Sequence, residues 1–420
     1  AAVDSLEVGK NRLEALGDVE EAADFIRAYC DVMEAHGGFV RPQGRESDRH
    51  RNTSILKPHG VWAVIAPFNF PVALAGGPSA AAILAGNTVV LKPAEDSPYS
   101  PTLLVQCFHD AGIPAGVINL VTGQKDAGRA LVDHPGVDGF TFTGSYKVGM
   151  EIYAKVAQGP RPRPVLAEMG GKNPTIIGAS ADVAMAAEGV MRAAFGLTGQ
   201  KCSACSRVLV HESIKDAFVA QLVALTQRIA IGDPTQRDMW IGPVINRRAY
   251  ENYQRFTDEL RAHGKIAFGG ATLATHGYYV APTVVTDLPD DHYLWQQEMF
   301  LPIVVVGSFT DFDAALARAN DVDFGLTAGC YSNDADEVRA FLDNIEAGTI
   351  YVNRHTSATT GAWPGYQPFG GWKGSSTSSK GSGGPYYLQQ YLREQSQTVL
   401  HHGPGEPLVE ADEWRAEASE

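Results

Sequence analysis

Five short β-rich segments alternate with four helical segments between Val61 and Ala167, and this alternation limits the possible folds more than any other feature of the sequence. Strands joined by helical crossovers run in the same direction, so the pattern predicts a parallel sheet covered by helices on both faces. Ligands usually bind at the carboxyl ends of such strands. The expected strands are 61–65, 88–91, 117–121, 139–142 and 165–167, and the expected helices are 78–85, 98–111 and the segments after Lys125 and Ser145.

The segments on either side of this unit predict further elements. Apolar residues at helical spacing predict a helix over 18–36, with Asp18 and Glu21 as a capping box and the glycines at 37–38 as its stop. The polar and basic residues 39–59 predict an exposed hairpin. The remaining expectations are a second α/β unit from Asn173 to about Val352, a long functional loop over 356–384, a strand-like segment over 396–400 and an acidic tail from His401.

The composition excludes several classes of protein. Hydrophobic residues make up 44% of the 420 residues and charged residues 20%, which excludes an intrinsically disordered chain. The chain has 48 Asp and Glu residues and 34 Lys and Arg residues. The resulting net charge of −14 argues against nucleic acid as the main partner. No apolar run approaches the roughly 20 residues that span a bilayer, and no secretory signal is visible. With only five cysteines, the chain is expected to be a soluble cytoplasmic protein.

The segment GQKCSAC at 199–205 contains two cysteines in a C-x-x-C pattern and admits three interpretations. The pair could form a redox dithiol or half of a zinc site, although a four-ligand zinc site needs a second pair and the other three cysteines are isolated. Cys202 could instead be a nucleophile at the end of a helix, with Lys201 favouring its thiolate form. Both cysteines could also be small buried residues. Spacing alone leaves the three interpretations open.

Two further polar side chains follow strands of the predicted sheet. Glu168 comes directly after the fifth strand and ahead of two glycines, so it could serve as a general base or be a solvated loop acid. Asn69 follows the first strand, which places a side-chain amide at the same edge of the sheet or in an ordinary turn.

Residues after the second and fourth strands are candidates for cofactor binding. Lys92 and Glu95 follow the second strand, where an acid suits ribose hydroxyls. Gly144 and Ser145 lie between a strand and a helix, where a diphosphate can meet free backbone N–H groups. The segment lacks both the G-x-G-x-x-G fingerprint and the P-loop pattern, and each of these positions could also be a turn.

Seven segments taken together resemble the aldehyde dehydrogenase superfamily, in that family's order, from about Val19 to Val399. They are FNFP at 68–71, LKPAE at 91–95, FTGS at 142–145, EMGGK at 168–172, GQKC at 199–202, EMF at 298–300 and PFGG at 368–371. A narrower similarity, to the Δ1-pyrroline-5-carboxylate (L-glutamate γ-semialdehyde) dehydrogenases, is carried by segments 199–207, 359–362, 367–371 and 383–385.

The resemblance implies an aldehyde dehydrogenase-like α/β fold with a Rossmann-type parallel sheet, a catalytic α/β domain and a small oligomerisation element. It implies an NAD-binding domain over 1–169 that includes an oligomerisation hairpin at 39–59. The catalytic domain would cover 170–372, and a C-terminal return over 373–420 would carry an oligomerisation strand and the acidic tail. A homo-oligomer, a dimer or larger, is therefore expected.

The implied activity is the NAD-dependent oxidation of L-glutamate γ-semialdehyde to L-glutamate, the second step of proline catabolism. Cys202 would attack the aldehyde as a thiolate, and Asn69 with the Cys202 backbone N–H would stabilise the oxyanion. Glu168 would then activate the water that hydrolyses the thioester.

The resemblance also implies binding residues for cofactor and substrate, and no metal. For the cofactor, Lys92 and Glu95 would hold the adenosine ribose, and the carboxylate would repel a 2′-phosphate so that NAD is preferred over NADP. The full cofactor set is Phe68, Lys92, Glu95, Gly144, Ser145, Glu298 and Phe300. The substrate set is Ser203, Gly361 and Ala362 around the carboxylate, with Phe369 and Phe70 against the aliphatic chain.

Three alternatives stay open. The chain could be an aldehyde or semialdehyde dehydrogenase of different specificity, because the loop at Trp363 and Pro364 could admit a different substrate. It could be a non-catalytic homologue kept for assembly or binding, although the presence of Cys202, Asn69 and Glu168 argues against this. A C-x-x-C redox or zinc protein is the third alternative.

Overall fold

The computed structural model describes residues 1–273, 276–355 and 361–400. The helices are α1 Ala2–Val8, α2 Arg12–Ala35, α3 Ala73–Leu84, α4 Tyr99–Asp110, α5 Lys125–Asp133, α6 Tyr146–Ala157, α7 Val183–Phe195, α8 Lys215–Thr226, α9 Arg247–His263, α10 Phe312–Asn320 and α11 Ala335–Asn344. The strands are β1 Val40–Pro42, β2 His50–Pro58, β3 Val61–Ile65, β4 Thr88–Lys92, β5 Ile118–Leu120, β6 Gly139–Thr143, β7 Val165–Glu168, β8 Asn173–Ile177, β9 Cys205–His211, β10 Lys265–Phe268, β11 Thr283–Thr286, β12 Ile303–Phe309, β13 Phe324–Gly325, β14 Thr327–Tyr331, β15 Thr349–Val352, β16 Trp372–Lys373 and β17 Leu392–Leu400.

The first sheet is parallel and has the strand order β5-β4-β3-β6-β7. All five predicted strands are present, so the predicted α/β crossover pattern is confirmed. Trp62 of β3 is fully buried and donates a hydrogen bond from Nε1 to Thr141 Oγ1 at 2.8 Å. Its strand partner Gly139 has no side chain, and a Cβ there would lie 2.3 Å from the Trp62 ring. The sequence thus leaves room for the largest side chain at the centre of the sheet.

The second sheet contains seven strands in the order β10-β11-β12-β9-β8-β14-β15. All neighbours are parallel except β10, which runs antiparallel to β11 at one edge. Three consecutive valines of β12, residues 304–306, are fully buried. A continuous apolar run of this kind is typical of a strand with both faces covered.

A third, small sheet has the order β1-β2-β17 and is antiparallel throughout. It contains the predicted hairpin of 39–59 and the predicted strand-like segment near the C-terminus, and both are confirmed as structural elements. Their role in assembly stays a prediction, as do the domain boundaries.

The prediction for the start of α2 is wrong, and the reason lies in a distant contact. The helix begins at Arg12 and its N-cap is Asn11, whose side chain accepts from the Glu14 N–H. Asp18 lies inside the helix, buried, and its carboxylate accepts the backbone N–H groups of Val72 and Ala73 at 3.2 and 2.9 Å. Asp18 therefore caps α3, which starts earlier than predicted, instead of its own helix.

The Asp18 carboxylate is held in turn by a fully buried cation. Lys10 Nζ lies 2.9 Å from Asp18 Oδ2 and 3.3 Å from Asp4 Oδ2. Burial is the main cause that raises the pKa of Asp4 to about 7. The N-terminal helices are thereby fastened to the segment that carries Asn69.

A four-residue connection joins the two large sheets. The first sheet ends at Glu168, the second begins at Asn173, and only residues 169–172 lie between them. Glu168 is at the carboxyl edge of its sheet, whereas Asn173 and Cys205 are register partners at the amino edge of the other. The crevice between these two edges is where the loops with the predicted site residues converge.

None of the helices in the described ranges is long and apolar enough to cross a membrane.

Candidate active site

The crevice is bounded by the carboxyl ends of β3, β4, β6 and β7 on one side and by the loops before β8, β9 and β12 on the other. The Cys202 loop precedes β9, and the Glu298 loop precedes β12. The predicted catalytic, cofactor and substrate residues that the structure describes lie on these strand ends and on the loop after residue 360.

The Cys202 loop begins with strained backbone. Leu197 and Thr198 have φ values of 49° and 55°, in the left-handed region that residues with a Cβ rarely adopt. Gly199 follows with φ 67°, and a Cβ there would lie 2.3 Å from the Leu301 carbonyl oxygen. Strain of this kind persists only where the surrounding packing imposes it, and it is common at functional sites.

The amide of Asn69 lies against the same loop. Asn69 is buried, and its Nδ2 donates to the Gln200 carbonyl at 3.0 Å. From the other side, Asn173 Nδ2 donates to the Cys202 carbonyl at 2.7 Å. Backbone N–H groups of Cys202 and Ser203 donate to the Cys202 sulfur and act to lower its pKa. Backbone N–H groups beside the sulfur and the Asn69 amide on the same loop are donors of the kind that an oxyanion on a bound carbon would need.

The thiol itself is protonated at neutral pH in this structure. Burial, with the nearby charges of Glu298 and Glu168, raises the pKa of Cys202 to about 12. Lys201 was expected to favour the thiolate, and this prediction is wrong. Its Nζ forms an ion pair with Glu14 Oε1 at 2.9 Å. Although Lys201 and Cys202 are adjacent in sequence, the Lys201 side chain extends toward α2 from the loop that begins with the strained turn.

Glu168 has one bonded and one unbonded carboxyl oxygen. Oε1 accepts from Ser376 Oγ at 2.8 Å, whereas Oε2 is buried without a hydrogen-bond partner. Burial raises the pKa of Glu168 to about 8, and the bond from Ser376 acts against that rise. A carboxyl group with a pKa near the working pH is suited to proton transfer.

Glu298 and Lys172 form a second titratable pair beside the thiol. Glu298 Oε1 accepts the Gly171 N–H at 3.0 Å, and burial raises the pKa of Glu298 to about 7. Burial also lowers the pKa of Lys172 to about 7, and its Nζ has no hydrogen-bond partner. A Cβ at Gly170 would lie 2.2 Å from Glu298 Oε2, so this glycine is needed for the carboxylate to approach.

The residues at the strand ends of the first sheet have side chains of the kinds that bind a dinucleotide. The prediction for the Gly144 backbone is corrected. Lys92 Nζ donates to the Pro93 carbonyl at 2.9 Å, and Glu95 is exposed. Ser145 is exposed at the N-cap of α6. The Gly144 N–H is not free for a diphosphate as predicted, because it donates to the Glu168 carbonyl at 3.1 Å.

An aromatic pair connects the two sides of the crevice. The rings of Phe68 and Phe300 are edge-to-face with centroids 5.9 Å apart. Phe300 has a φ of 56°, so its position too is imposed by packing. The two predicted cofactor residues are therefore brought together from opposite sheets.

The predicted substrate residues lie on three separate segments: Phe70 follows β3, Ser203 belongs to the Cys202 loop, and Gly361, Ala362 and Phe369 follow β15. The Phe70 ring lies 4.3 Å from Lys10 Nζ, and Phe369 exchanges two backbone hydrogen bonds with Ser382. A Cβ on Gly361 would lie 3.3 Å from an Arg354 guanidinium nitrogen. Ser203 and Ala362 are half-buried, while Thr359 and Thr360 of the quoted motif lie outside the described residues.

The C-x-x-C pair is split between two environments. Cys205 is buried in β9, 3.2 Å from Thr175 Oγ1, and burial raises its pKa to about 11. All five cysteines are free thiols.

Within the described ranges, the group of side chains with metal-ligand spacing is Glu259, His263 and His292, away from this crevice. The Leu294 N–H donates to His292 Nδ1, which leaves the Nε2 N–H to donate to Glu259 Oε1 at 3.3 Å in an ordinary hydrogen bond.

Sequence reasoning missed two contributors to the site. Ser376 lies in a Ser- and Thr-rich loop without periodicity, so no pattern singled it out. Lys10 was also not singled out by any pattern, because Asp18, its buried ion-pair partner, was interpreted as a local helix cap.

Comparison with known proteins identifies the family of this chain. The model of the aldehyde dehydrogenase family matches residues 1–397. A curated relative from Bacillus mycoides strain KBAB4, a 1-pyrroline-5-carboxylate dehydrogenase, is 38% identical over 392 residues, which are 92% of this chain and 75% of the relative.

Solved structures agree with these relatives. A 1-pyrroline-5-carboxylate dehydrogenase from Thermus with bound NAD has a TM-score of 0.90 and 34% identity, covering 95% of this chain and 77% of that one. Proline utilization A from Bdellovibrio bacteriovorus has a TM-score of 0.91 and 36% identity, covering 97% of this chain and 42% of that one. With the family model matching nearly the whole chain, the protein belongs to the aldehyde dehydrogenase family.

Proposed function

We propose that this chain oxidises L-glutamate γ-semialdehyde, the open form of 1-pyrroline-5-carboxylate, to L-glutamate with NAD as the hydride acceptor. The observation that carries the proposal is the convergence of a cysteine, an amide and a buried carboxyl group on one crevice between the sheets. The names of the relatives support the choice of substrate.

In the first half of the reaction Cys202 forms a covalent bond to the substrate. The thiol gives its proton to the solvent, and the sulfur attacks the aldehyde carbon to give a thiohemiacetal with a negative oxygen. The Asn69 amide and the Cys202 backbone N–H stabilise that oxygen. Nδ2 of Asn69 already donates one hydrogen to Gln200, which leaves its second hydrogen for the oxyanion.

In the second half the thioester is hydrolysed. A bound NAD would supply the hydride acceptor, and loss of hydride from the thiohemiacetal carbon would leave a thioester on Cys202 as the oxyanion becomes a carbonyl oxygen. Glu168 takes a proton from water, the hydroxide adds to the thioester carbon, and the Cys202 sulfur leaves as the carboxylate product forms. One water is consumed and the aldehyde is oxidised by two electrons.

The residues at the carboxyl edge of the first sheet fit the cofactor. Lys92 and Glu95 would bind the adenosine ribose, and Ser145 would contact the diphosphate with its hydroxyl at the start of α6. Phe68 and Phe300 would bound the nicotinamide, and Glu298 would hold its ribose. A Cβ at Gly144 would lie 2.6 Å from the Phe142 ring, so this position keeps the turn close to the sheet.

The substrate is proposed to bind on the loop side of the crevice. Backbone N–H groups of Gly361 and Ala362, with the Ser203 hydroxyl, would hold its carboxylate. The rings of Phe369 and Phe70 would pack against the aliphatic chain.

A substrate comparison tests the proposal. NADH absorbance is followed with 1-pyrroline-5-carboxylate, succinate semialdehyde and propanal under the same conditions. The highest kcat/KM is expected for 1-pyrroline-5-carboxylate. A clear preference for another aldehyde would replace the substrate, and no NADH with any aldehyde would support a non-catalytic homologue.

Replacing Asn69 by alanine is expected to lower kcat roughly 100- to 1000-fold, because one oxyanion donor is lost from a preorganised site. Steady-state NADH formation measures the effect. NAD affinity, followed by quenching of tryptophan fluorescence, should stay unchanged, and a matching loss of affinity would indicate a damaged fold instead.

Replacing Glu95 by glutamine is expected to narrow the preference for NAD over NADP by roughly tenfold, since like charges a few ångströms apart cost about 1 kcal/mol or more. The ratio of kcat/KM for the two cofactors measures this preference. An unchanged ratio would show that Glu95 does not face the adenosine ribose.

We also propose a cytoplasmic location and assembly of copies of this chain through the β1-β2-β17 sheet. Five free thiols suit a reducing compartment. The outer strands of that sheet are mostly exposed, as an edge available to a second copy would be. Light scattering of the purified protein gives the number of copies.

A further inference from the structure

The loop that carries Ser376 runs along the end of β7. The Met169 N–H donates to the Ser375 carbonyl at 2.8 Å, and the Thr377 N–H donates to the Ala167 carbonyl at 3.1 Å. The Ala167 N–H donates in return to Thr377 Oγ1 at 2.9 Å. These bonds on either side fix Ser376 directly opposite Glu168, with which it forms a β-bridge.

The Ser376 hydroxyl has only one way to direct its proton. Its oxygen accepts the backbone N–H groups of Ser378 at 3.2 Å and Ser379 at 3.4 Å. A hydroxyl has two acceptor sites and one proton, so these bonds leave the proton for Glu168 Oε1 at 2.8 Å. Ser376 is 8% exposed, so water has little access to this arrangement.

We propose that Ser376 is a positioning residue for the general base, with a hydroxyl held as a donor that orients the Glu168 carboxyl group and favours its ionised form. The inference rests on the proposed function, in which Glu168 activates water. A donor whose lone pairs are occupied favours a negatively charged acceptor, because it cannot turn to accept a proton from a neutral carboxyl group.

The other titratable groups around Glu168 supply no compensating positive charge. Cys202 and Tyr387 face it, and Glu298 faces Cys202 from the loop before β12. Burial raises the pKa of Cys202 and of Tyr387 to about 12, so both are neutral near pH 7. The bond from Ser376 therefore opposes the rise in the pKa of Glu168 that burial causes, whereas the Cys202 thiol and the Tyr387 hydroxyl do not oppose it.

The test compares the pH dependence of turnover in Ser376→Ala, Ser376→Thr and Ser378→Ala. Loss of a hydrogen bond to a charged group should move the acidic limb of kcat upward by about one pH unit and lower kcat at pH 7 about tenfold. Ser376→Thr keeps the hydroxyl and should restore the limb. Ser378→Ala is the matched control, because its hydroxyl accepts from Lys380 instead. The proposal is overturned if the acidic limb of kcat has the same midpoint in Ser376→Ala and Ser378→Ala. It is also overturned if Ser376→Thr shifts that midpoint as far as Ser376→Ala does.

A second measurement does not depend on turnover. The protonated carboxyl band of Glu168 is titrated by infrared difference spectroscopy and assigned by its loss in Glu168→Gln. Its midpoint should rise by about one pH unit in Ser376→Ala. An unchanged midpoint overturns the role of Ser376, whereas absence of NADH formation from every aldehyde, with a shifted midpoint, overturns only the proposed function.

Discussion

Replacing Cys202 by alanine is expected to abolish NADH formation while NAD still binds. The sulfur is the atom that would hold the acyl group, and the second cysteine of the motif, Cys205, is buried in β9 beside Thr175. Without the covalent intermediate the hydride has no thiohemiacetal carbon to leave. NADH absorbance with the preferred aldehyde measures the loss.

The matched control for this variant is Cys205→Ala. It removes the second thiol of the same motif and should keep most of the activity, with a modest loss of stability from the small cavity. Retained turnover in Cys202→Ala would end the assignment of the nucleophile. Equal loss in both variants would instead favour a function of the C-x-x-C pair as a unit.

Replacing Glu168 by glutamine is expected to leave a pre-steady-state burst of NADH but to slow steady turnover roughly 100- to 10,000-fold. The first half of the reaction needs no water, whereas hydrolysis of the thioester needs a base. Glutamine keeps the size of the side chain and an acceptor for Ser376. Stopped-flow absorbance separates the burst from the slow phase, and full turnover without a burst would contradict the role of Glu168 as the base.

The same assignment fixes the direction of the pH dependence. Burial raises the pKa of Glu168 to about 8. A general base acts in its ionised form, so the rate of hydrolysis should fall as the pH drops below that pKa, approaching tenfold per pH unit. In Glu168→Gln this limb should be absent from the slow phase.

Most of the fold could be predicted from the sequence, because its strands are local patterns. Segments such as 61–65 and 139–142 are short β-rich apolar runs bounded by turns, and both are strands in the structure. The start of α2 could not be predicted in this way. Asp18 looks like a local cap, but its carboxylate is used by α3, more than fifty residues later.

For the candidate site, too, local patterns predict some features and distant contacts determine the others. Cys202, Glu168 and Asn69 could be proposed because each follows or precedes a predictable strand within a recognisable segment. The direction of a side chain could not. Lys201 is next to Cys202 in sequence but pairs with Glu14, and Ser376 reaches Glu168 across more than two hundred residues.

The cap that Asp18 provides connects α2 to the start of α3, next to the segment that carries Asn69. The helix following Asn69 depends for its first turn on a carboxylate from a separate stretch of chain, and that carboxylate depends on the ammonium of Lys10. The start of the helix that follows Asn69 consequently depends on the docking of the N-terminal helices. A proteolytic nick that frees those helices would uncap α3 and withdraw Phe25 and Tyr29 from the core that they share with β3 and β4, so aldehyde oxidation and binding of the dinucleotide should be lost together.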